Sequence, residues 1–246
     1  MALHYDTTLK NKLRSRNQFS DIVLNKQFNG WAPHIEENLR IRSYSGGDDY
    51  HEGLDNELLQ DCKWHIDKNR TGKLGKQTVI LTHPFYLQLT QMDELNTRKI
   101  EGEVRDYSKN LLKFLYFGKN NPNVNFVALD TIHTYAATTS LLLERGLVGD
   151  VLFTEYDSGI LLNPEELEEY KDDEIFFAGG YDYQCLRQVI NKVIDKDPSG
   201  KLWGIKDLIL TSPKWNYKTL KPRTISGIPQ SQIISLEETI ERLNLR

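Results

Sequence analysis

From Gly75 onward the chain alternates short apolar runs with segments of helical periodicity, and this alternation restricts the fold more than any other feature. "TVILTHPFY" opens on β-branched and apolar residues and breaks at Pro84, as a buried strand and its exit loop do. Ile100, Val104, Tyr107, Leu111, Phe114 and Leu115 then recur at spacings of three and four and stop at Gly118, which predicts an amphipathic helix closed by glycine. "NVNFVALD", "DVLFTEYDSG", "EIFFAGG" and "GIKDLILTSP" repeat the strand signal. "TYAATTSLLLERG" and the stretch from Tyr183 to Ile194 repeat the helical one. Asn163 followed by Pro164 and a run of acids marks a helix start, and Ser235 with Glu238 fits a capping box. Strands apolar on both faces, each followed by a helix, imply a parallel sheet covered on both sides. The expected fold is α/β, a mostly parallel sheet of about five strands with helices on both faces, spanning residues 76–246.

Residues 1–75 read differently. Polar and turn-forming stretches dominate, such as "QFNGWAPHIEENL" and "KNRTGKLGK", and "IVL" at Ile22–Leu24 is the clearest strand signal. Gly53–Ile66 has Leu54, Leu58 and Cys62 four apart and predicts a short helix. This part is expected to be an irregular extension packed on the core. A net charge of −4 supplies no global basic field to gather nucleic acid. No apolar run approaches the roughly 18 residues that cross a bilayer. The first residues, "MALHYDTTLKNKLRSRNQF", lack the apolar centre of a secretory signal, and two cysteines make no disulfide framework. A cytoplasmic location is expected, with the "NRT" at Asn69 a chance sequon.

In an open parallel sheet the ligand crevice lies beyond the carboxyl ends of the strands. The residues there are Thr82 and His83, Asp130 and His133, Thr154, Glu155, Asp157 and Ser158, Asp182 and Cys185, and Thr211 and Ser212. Cys185 stands out. With Leu186 setting the direction of its helix, Ile190, Val193, Ile194 and Tyr183 fall within about 80° of it, while Cys185 sits about 100° away, at the seam between buried face and rim. If Asp182 caps this helix, Cys185 occupies its first turn, where free N–H groups and the dipole favour a thiolate. Gly179 and Gly180 permit a sharp turn with backbone N–H groups turned toward an oxyanion. The competing reading is a cysteine packed as a small apolar residue.

Three other constellations carry less. Asp48, Asp49, His51, Glu52, Asp55, Asp61, Cys62 and His65 mix metal-ligand types but match no standard zinc spacing, and a solvated acidic stretch accounts for them better. Lys214, Lys218, Lys221 and Arg223 interleave with Trp215 and Tyr217, a pattern that holds single-stranded nucleic acid by charge and stacking; within an acidic chain it fits surface decoration or a phosphate-bearing ligand better. The adjacent glycines of "SGGDDYHEG" lack the strand and spacing of a phosphate loop.

The segment "DVLFTEYDSGILLNPEELEEYKDDEIFFAGGYDYQCLRQVI" resembles the second half of the isochorismatase-like cysteine hydrolases, which include nicotinamidases. In that family a strand leads to a Tyr/Ser turn, a short helix follows, and a further strand ends in a glycine six residues before the nucleophilic cysteine. Gly179 and Cys185 keep that spacing and Ser158 matches the turn. The resemblance implies a hydrolase of C–N bonds with Cys185 as nucleophile. The family's general-base aspartate falls on Thr82 or His83 and its lysine on Thr154, so the base role passes to His83 or Glu155. Metal-binding members carry Asp-x-His after the second strand; Asp130 and His133 are one residue further apart. Gly179, Gly180, Asp182, Ser158, Asp130 and His133 are then the expected substrate-binding residues, with no metal and no cofactor. The expected partner is a small molecule, with self-association left open. The alternatives are a catalytically degenerate relative that binds a ligand or a protein, and nucleic-acid binding through residues 213–223.

Overall fold

A computed structural model of the chain describes residues 52–84, 98–132, 135, 139–155, 159–182, 184–196, 201–211 and 224–244. The strand expected at Ile22–Leu24, the acidic residues up to His51 and the basic segment 213–223 lie outside the described residues.

The strands are β1 (Gln77–Thr82), β2 (Val124–Asp130), β3 (Asp150–Glu155), β4 (Ile160–Leu161), β5 (Glu174–Gly179), β6 (Tyr181–Asp182), β7 (Leu202–Ile205), β8 (Leu210–Thr211) and β9 (Ile233–Ile234). The helices are α1 (Glu52–Asn69), α2 (Arg98–Lys119), α3 (Ser140–Glu144), α4 (Cys185–Asp195) and α5 (Leu236–Asn244). Among the described residues the main sheet has seven strands in the order β4-β3-β2-β1-β5-β7-β9. Only the edge strand β4 is antiparallel to its neighbour. Every residue of β1, β2 and β5 is buried, which explains why the centres of these segments are continuously apolar instead of alternating, with polar residues confined to their ends.

Helices cover both faces. Tyr107, Leu111, Phe114 and Leu115 of α2 pack with Cys62 and Ile66 of α1, Leu142 and Leu143 of α3, and Leu236 and Leu243 of α5 against Val79, Leu81, Phe126 and Ala128. On the opposite face Leu186, Val189, Ile190 and Val193 of α4 pack against Ile80, Val127, Leu129 and Phe177, joined by Leu167 and Tyr170. Each such side chain withdrawn from water contributes about 1.5–3 kcal/mol. The helix expected over Gly53–Ile66 is α1, and it belongs to this same core. His65 of α1 lies between Tyr135 (Nδ1 to Oη, 2.6 Å) and Glu144 (Nε2 to Oε1, 2.9 Å), which ties α1 to α3.

Two local expectations need correction. The fifth strand, expected over "GIKDLILTSP", is instead Leu202–Ile205. Lys206–Leu208 turns as a 3-10 helix, and Asp207 accepts the N–H of Leu236 at the start of α5 at 2.7 Å. Leu210–Thr211 then pairs with β6 in a separate two-stranded ladder. The segment after Asn163 is a 3-10 helix, Pro164–Tyr170, and the Asn163 side chain makes no cap bond but donates to Glu166 at 3.3 Å. The capping box at α5 forms with both arms: Ser235 N–H donates to Glu238 at 2.7 Å and Glu238 N–H to the Ser235 hydroxyl at 3.2 Å. Among the described residues no helix is long and apolar enough to cross a membrane.

Candidate functional site

The six parallel strands run in the spatial order third, second, first, fourth, fifth, sixth, so the direction of winding reverses between β1 and β5. Connections leave the carboxyl ends of these two strands in opposite directions, and the crevice between them is where open α/β sheets take ligands. β1 ends at Thr82 and β5 at Gly179, directly paired in register.

Both strand ends are unusual. His83 has φ 41°, in the left-handed region that a side chain other than glycine seldom adopts. Its N–H donates to Leu129 O at 2.8 Å, and its Nε2 lies 2.8 Å from the Thr154 hydroxyl. Gly179 and Gly180 have φ 76° and 64°. A β-carbon at Gly179 would stand 2.3 Å from the Thr82 carbonyl oxygen, and one at Gly180 would stand 2.9 Å from Cys185 Sγ. Glycine is needed at both positions for backbone conformation and for space.

Cys185 is the first residue of α4 and is buried. The remaining buried side chains of α4 pack on one face of the sheet, but Cys185 belongs with Ala178, Tyr181 and Tyr107 on the other. The thiol therefore reaches across the carboxyl end of the sheet. Tyr181 N–H is directed at Sγ at 3.3 Å. Tyr107, from α2, donates its hydroxyl to Pro84 O at 2.9 Å. Burial, and then the proximity of Cys185, push the Tyr107 phenol well above its usual pKa, so it stays protonated at any ordinary pH. Gly159, just before β4, lies against the same point: a β-carbon there would stand 2.2 Å from the Cys185 carbonyl oxygen.

Asp130 ends β2 on the face that carries Ala128 and Phe126. Its carboxylate accepts Thr131 N–H at 3.0 Å and the Thr139 hydroxyl at 2.5 Å. Burial outweighs these bonds and pushes the carboxyl up to about 7. Glu155 ends β3 in an exposed position, and it is the preceding Thr154 that meets His83. Asp182 does not cap α4. The capping position is Gln184, and Asp182 lies in β6 and accepts Ser226 N–H at 3.0 Å, since pairing with β8 turns it toward the segment at 224–228. Cys185 keeps its place in the first turn. Ser158 and His133 lie outside the described residues.

The fold thus brings Cys185, Gly179, Gly180 and His83 to one switch point. Asp130 stands on the strand flanking β1 on its other side, Glu155 one strand further out. One participant escapes a reading of the sequence: Tyr107 is indistinguishable from the other apolar positions of its helix. Thr82, expected at the rim from its place at the end of the first strand, has a hydroxyl that is fully buried and has no hydrogen-bond partner among the described residues.

No protein-family model matches the chain, and neither does any curated protein or solved structure. The architecture stands on its own: α/β, with a mostly parallel sheet.

Proposed function

We propose that this protein hydrolyses a C–N bond of a small molecule in the crevice beyond β1 and β5, with Cys185 as nucleophile. The observation that carries this reading is the setting of the sulfur. It sits on the first residue of an eleven-residue helix, beside the strand pair where the winding reverses, with a backbone N–H aimed at it from 3.3 Å. Backbone donors and the helix dipole both favour the thiolate. The thiolate would attack the carbonyl carbon of an amide, forming an S–C bond as the π electrons move to oxygen. Re-formation of the carbonyl breaks the C–N bond, and the proton that the base took from the thiol passes to the leaving nitrogen, which departs as the amine. Water, deprotonated by a base, then cleaves the thioester and returns the thiol.

His83 suits the base better than Glu155, because it is buried at the same switch point and held by Thr154. Gly179 and Gly180 would allow the close approach of substrate backbone or carbonyl, and Asp130 would line the far side. Asp182 would contribute by holding the 224–228 segment. The isochorismatase-like resemblance supports the same assignment through the Gly179-to-Cys185 spacing and the turn at Gly159 lying on the Cys185 backbone.

A specific observation favours a second reading, a ligand-binding relative without turnover: Thr82 or His83 stands where the family keeps its aspartate and Thr154 where it keeps its lysine, and Thr154 is engaged by His83. Iodoacetamide labelling separates the readings. A nucleophilic Cys185 is alkylated in the native protein at pH 7 faster than free cysteine, and Cys185→Ser abolishes ammonia release from a panel of primary amides. Slow native labelling that becomes prompt in urea removes the hydrolase reading. Fast labelling without ammonia release from any amide favours the binding protein.

A further inference from the structure

The fully buried hydroxyl of Thr82 has no partner among the described residues, yet a buried hydroxyl without one costs about 1–3 kcal/mol. Such an arrangement persists where a group present in the working state takes up the hydrogen bond. Thr82 is the last residue of β1, paired with Gly179 across the strand reversal. The position that a β-carbon of Gly180 would occupy is 2.9 Å from Cys185 Sγ and 3.4 Å from Thr82 Cβ, so threonine and thiol flank one small gap that only glycine leaves open. The sulfur receives Tyr181 N–H at 3.3 Å from another direction.

We propose that Thr82 is a positioning residue for Cys185: its hydroxyl donates to the sulfur when the thiol ionises, as a second donor beside the Tyr181 amide. This inference rests on the reading of Cys185 as the nucleophile. In the thiol form the sulfur is a weak acceptor and the hydroxyl gains little from it. In the thiolate form a full negative charge in a buried site would draw the unpartnered hydroxyl across the gap at Gly180, where a charge-assisted bond is strongest. The arrangement assigns a threonine to stabilising a thiolate without any transfer of its own proton, since an alcohol is far too weak an acid to give one up. The ionisable groups on the surrounding elements are Tyr107 of α2, His83 at the end of β1, Asp130 of β2 and Asp182 of β6. Tyr107 stays protonated, and Asp182 is directed to Ser226 N–H.

The test is the pH profile of iodoacetamide alkylation at Cys185, followed by peptide mass spectrometry so that the buried Cys62 does not contribute. In Thr82→Val, which keeps the shape and removes the hydroxyl, the midpoint should rise by about one pH unit, the loss expected for one hydrogen bond to a charged group. The limiting rate at high pH should rise slightly, because a less stabilised thiolate is more nucleophilic. Thr82→Ser should restore the wild-type midpoint; a merely packing role would instead make Ser the worse replacement. If Thr82→Val does not fold, the same shift should appear in Thr82→Ala. Equal midpoints in wild type and the hydroxyl-free variants overturn this inference and leave the nucleophile assignment intact. Slow labelling of native wild-type protein, prompt in urea, overturns both.

Discussion

The buried carboxyl of Asp130 makes stability depend on pH in a direction opposite to that of most acidic residues. An ordinary Asp titrates at 3.8, whereas burial raises this one to about 7. Between those values the folded chain keeps a proton that the unfolded chain releases, so stability falls as pH rises through the window, by about 1.4 kcal/mol per unit. Across the whole window the loss reaches about 4 kcal/mol, with relaxation around the charge lowering it toward 2. Below pH 4 both states are protonated and the contribution is constant; above about 7 the full cost is in place. Asp130→Asn removes the titration with little change of shape. Its carbonyl oxygen can accept Thr131 N–H, and its amide can donate to the Thr139 hydroxyl, in place of the bonds now made at 3.0 and 2.5 Å.

Urea unfolding at pH 5, 6, 7 and 8 should therefore show the two proteins within about 1 kcal/mol of each other at pH 5, diverging until the variant is the more stable by about 2–4 kcal/mol at pH 8. That difference is a large share of the 5–15 kcal/mol typical of a folded domain. Parallel pH dependence in wild type and variant would refute the assignment, because it would mean that Asp130 is ionised in the folded protein at pH 5 as readily as in the unfolded chain.

Three further outcomes follow from the packing. Gly159→Ala places a β-carbon 2.2 Å from the Cys185 carbonyl oxygen in a left-handed conformation, so thermal unfolding should register a loss of more than about 2 kcal/mol. Alkylation of Cys185 should change with it, since the start of α4 must move. His65→Leu removes the bonds to Tyr135 and Glu144, for a loss of about 1–3 kcal/mol by urea titration, whereas Glu144→Gln keeps an acceptor and should cost under about 1 kcal/mol. Arg242→Lys gives up a guanidinium lying 3.9 Å over the Trp203 ring and 3.3 Å from Glu174, so α5 should loosen by about 1 kcal/mol, visible as faster amide exchange in Leu236–Asn244.

Much of the architecture is legible in the residues because central parallel strands have no polar face to display. β1, β2 and β5 are buried throughout, and their runs announce themselves as strands without alternation. Two-residue strands carry no such signal. β4, β6, β8 and β9 are held by register against neighbours already in place, and nothing periodic in "IL", "YD", "LT" or "II" separates them from loop. The misplacement of the fifth strand has a similar cause. "LIL" at 208–210 is as apolar as "LWGI" at 202–205, and the choice between them depends on Asp207 reaching the start of α5, a contact spanning 29 positions.

The site is less legible than the sheet for a further reason. Helical geometry places Cys185 at the edge of a buried face but cannot say which side of the sheet its sulfur will join. That depends on where α4 begins relative to the strand ends. The left-handed glycines bring the chain back against the Thr82 carbonyl at the end of β1, with Gly180 directly beside the Cys185 sulfur. The first side chain of the helix then passes over the sheet edge to meet Tyr107, while the next, Leu186, drops onto the opposite face. A thiol in that position is screened from water and stands beside the strand pair where the order reverses. Neither glycine could be replaced without moving it. The glycine pair is therefore the element that turns an ordinary buried cysteine into a candidate nucleophile.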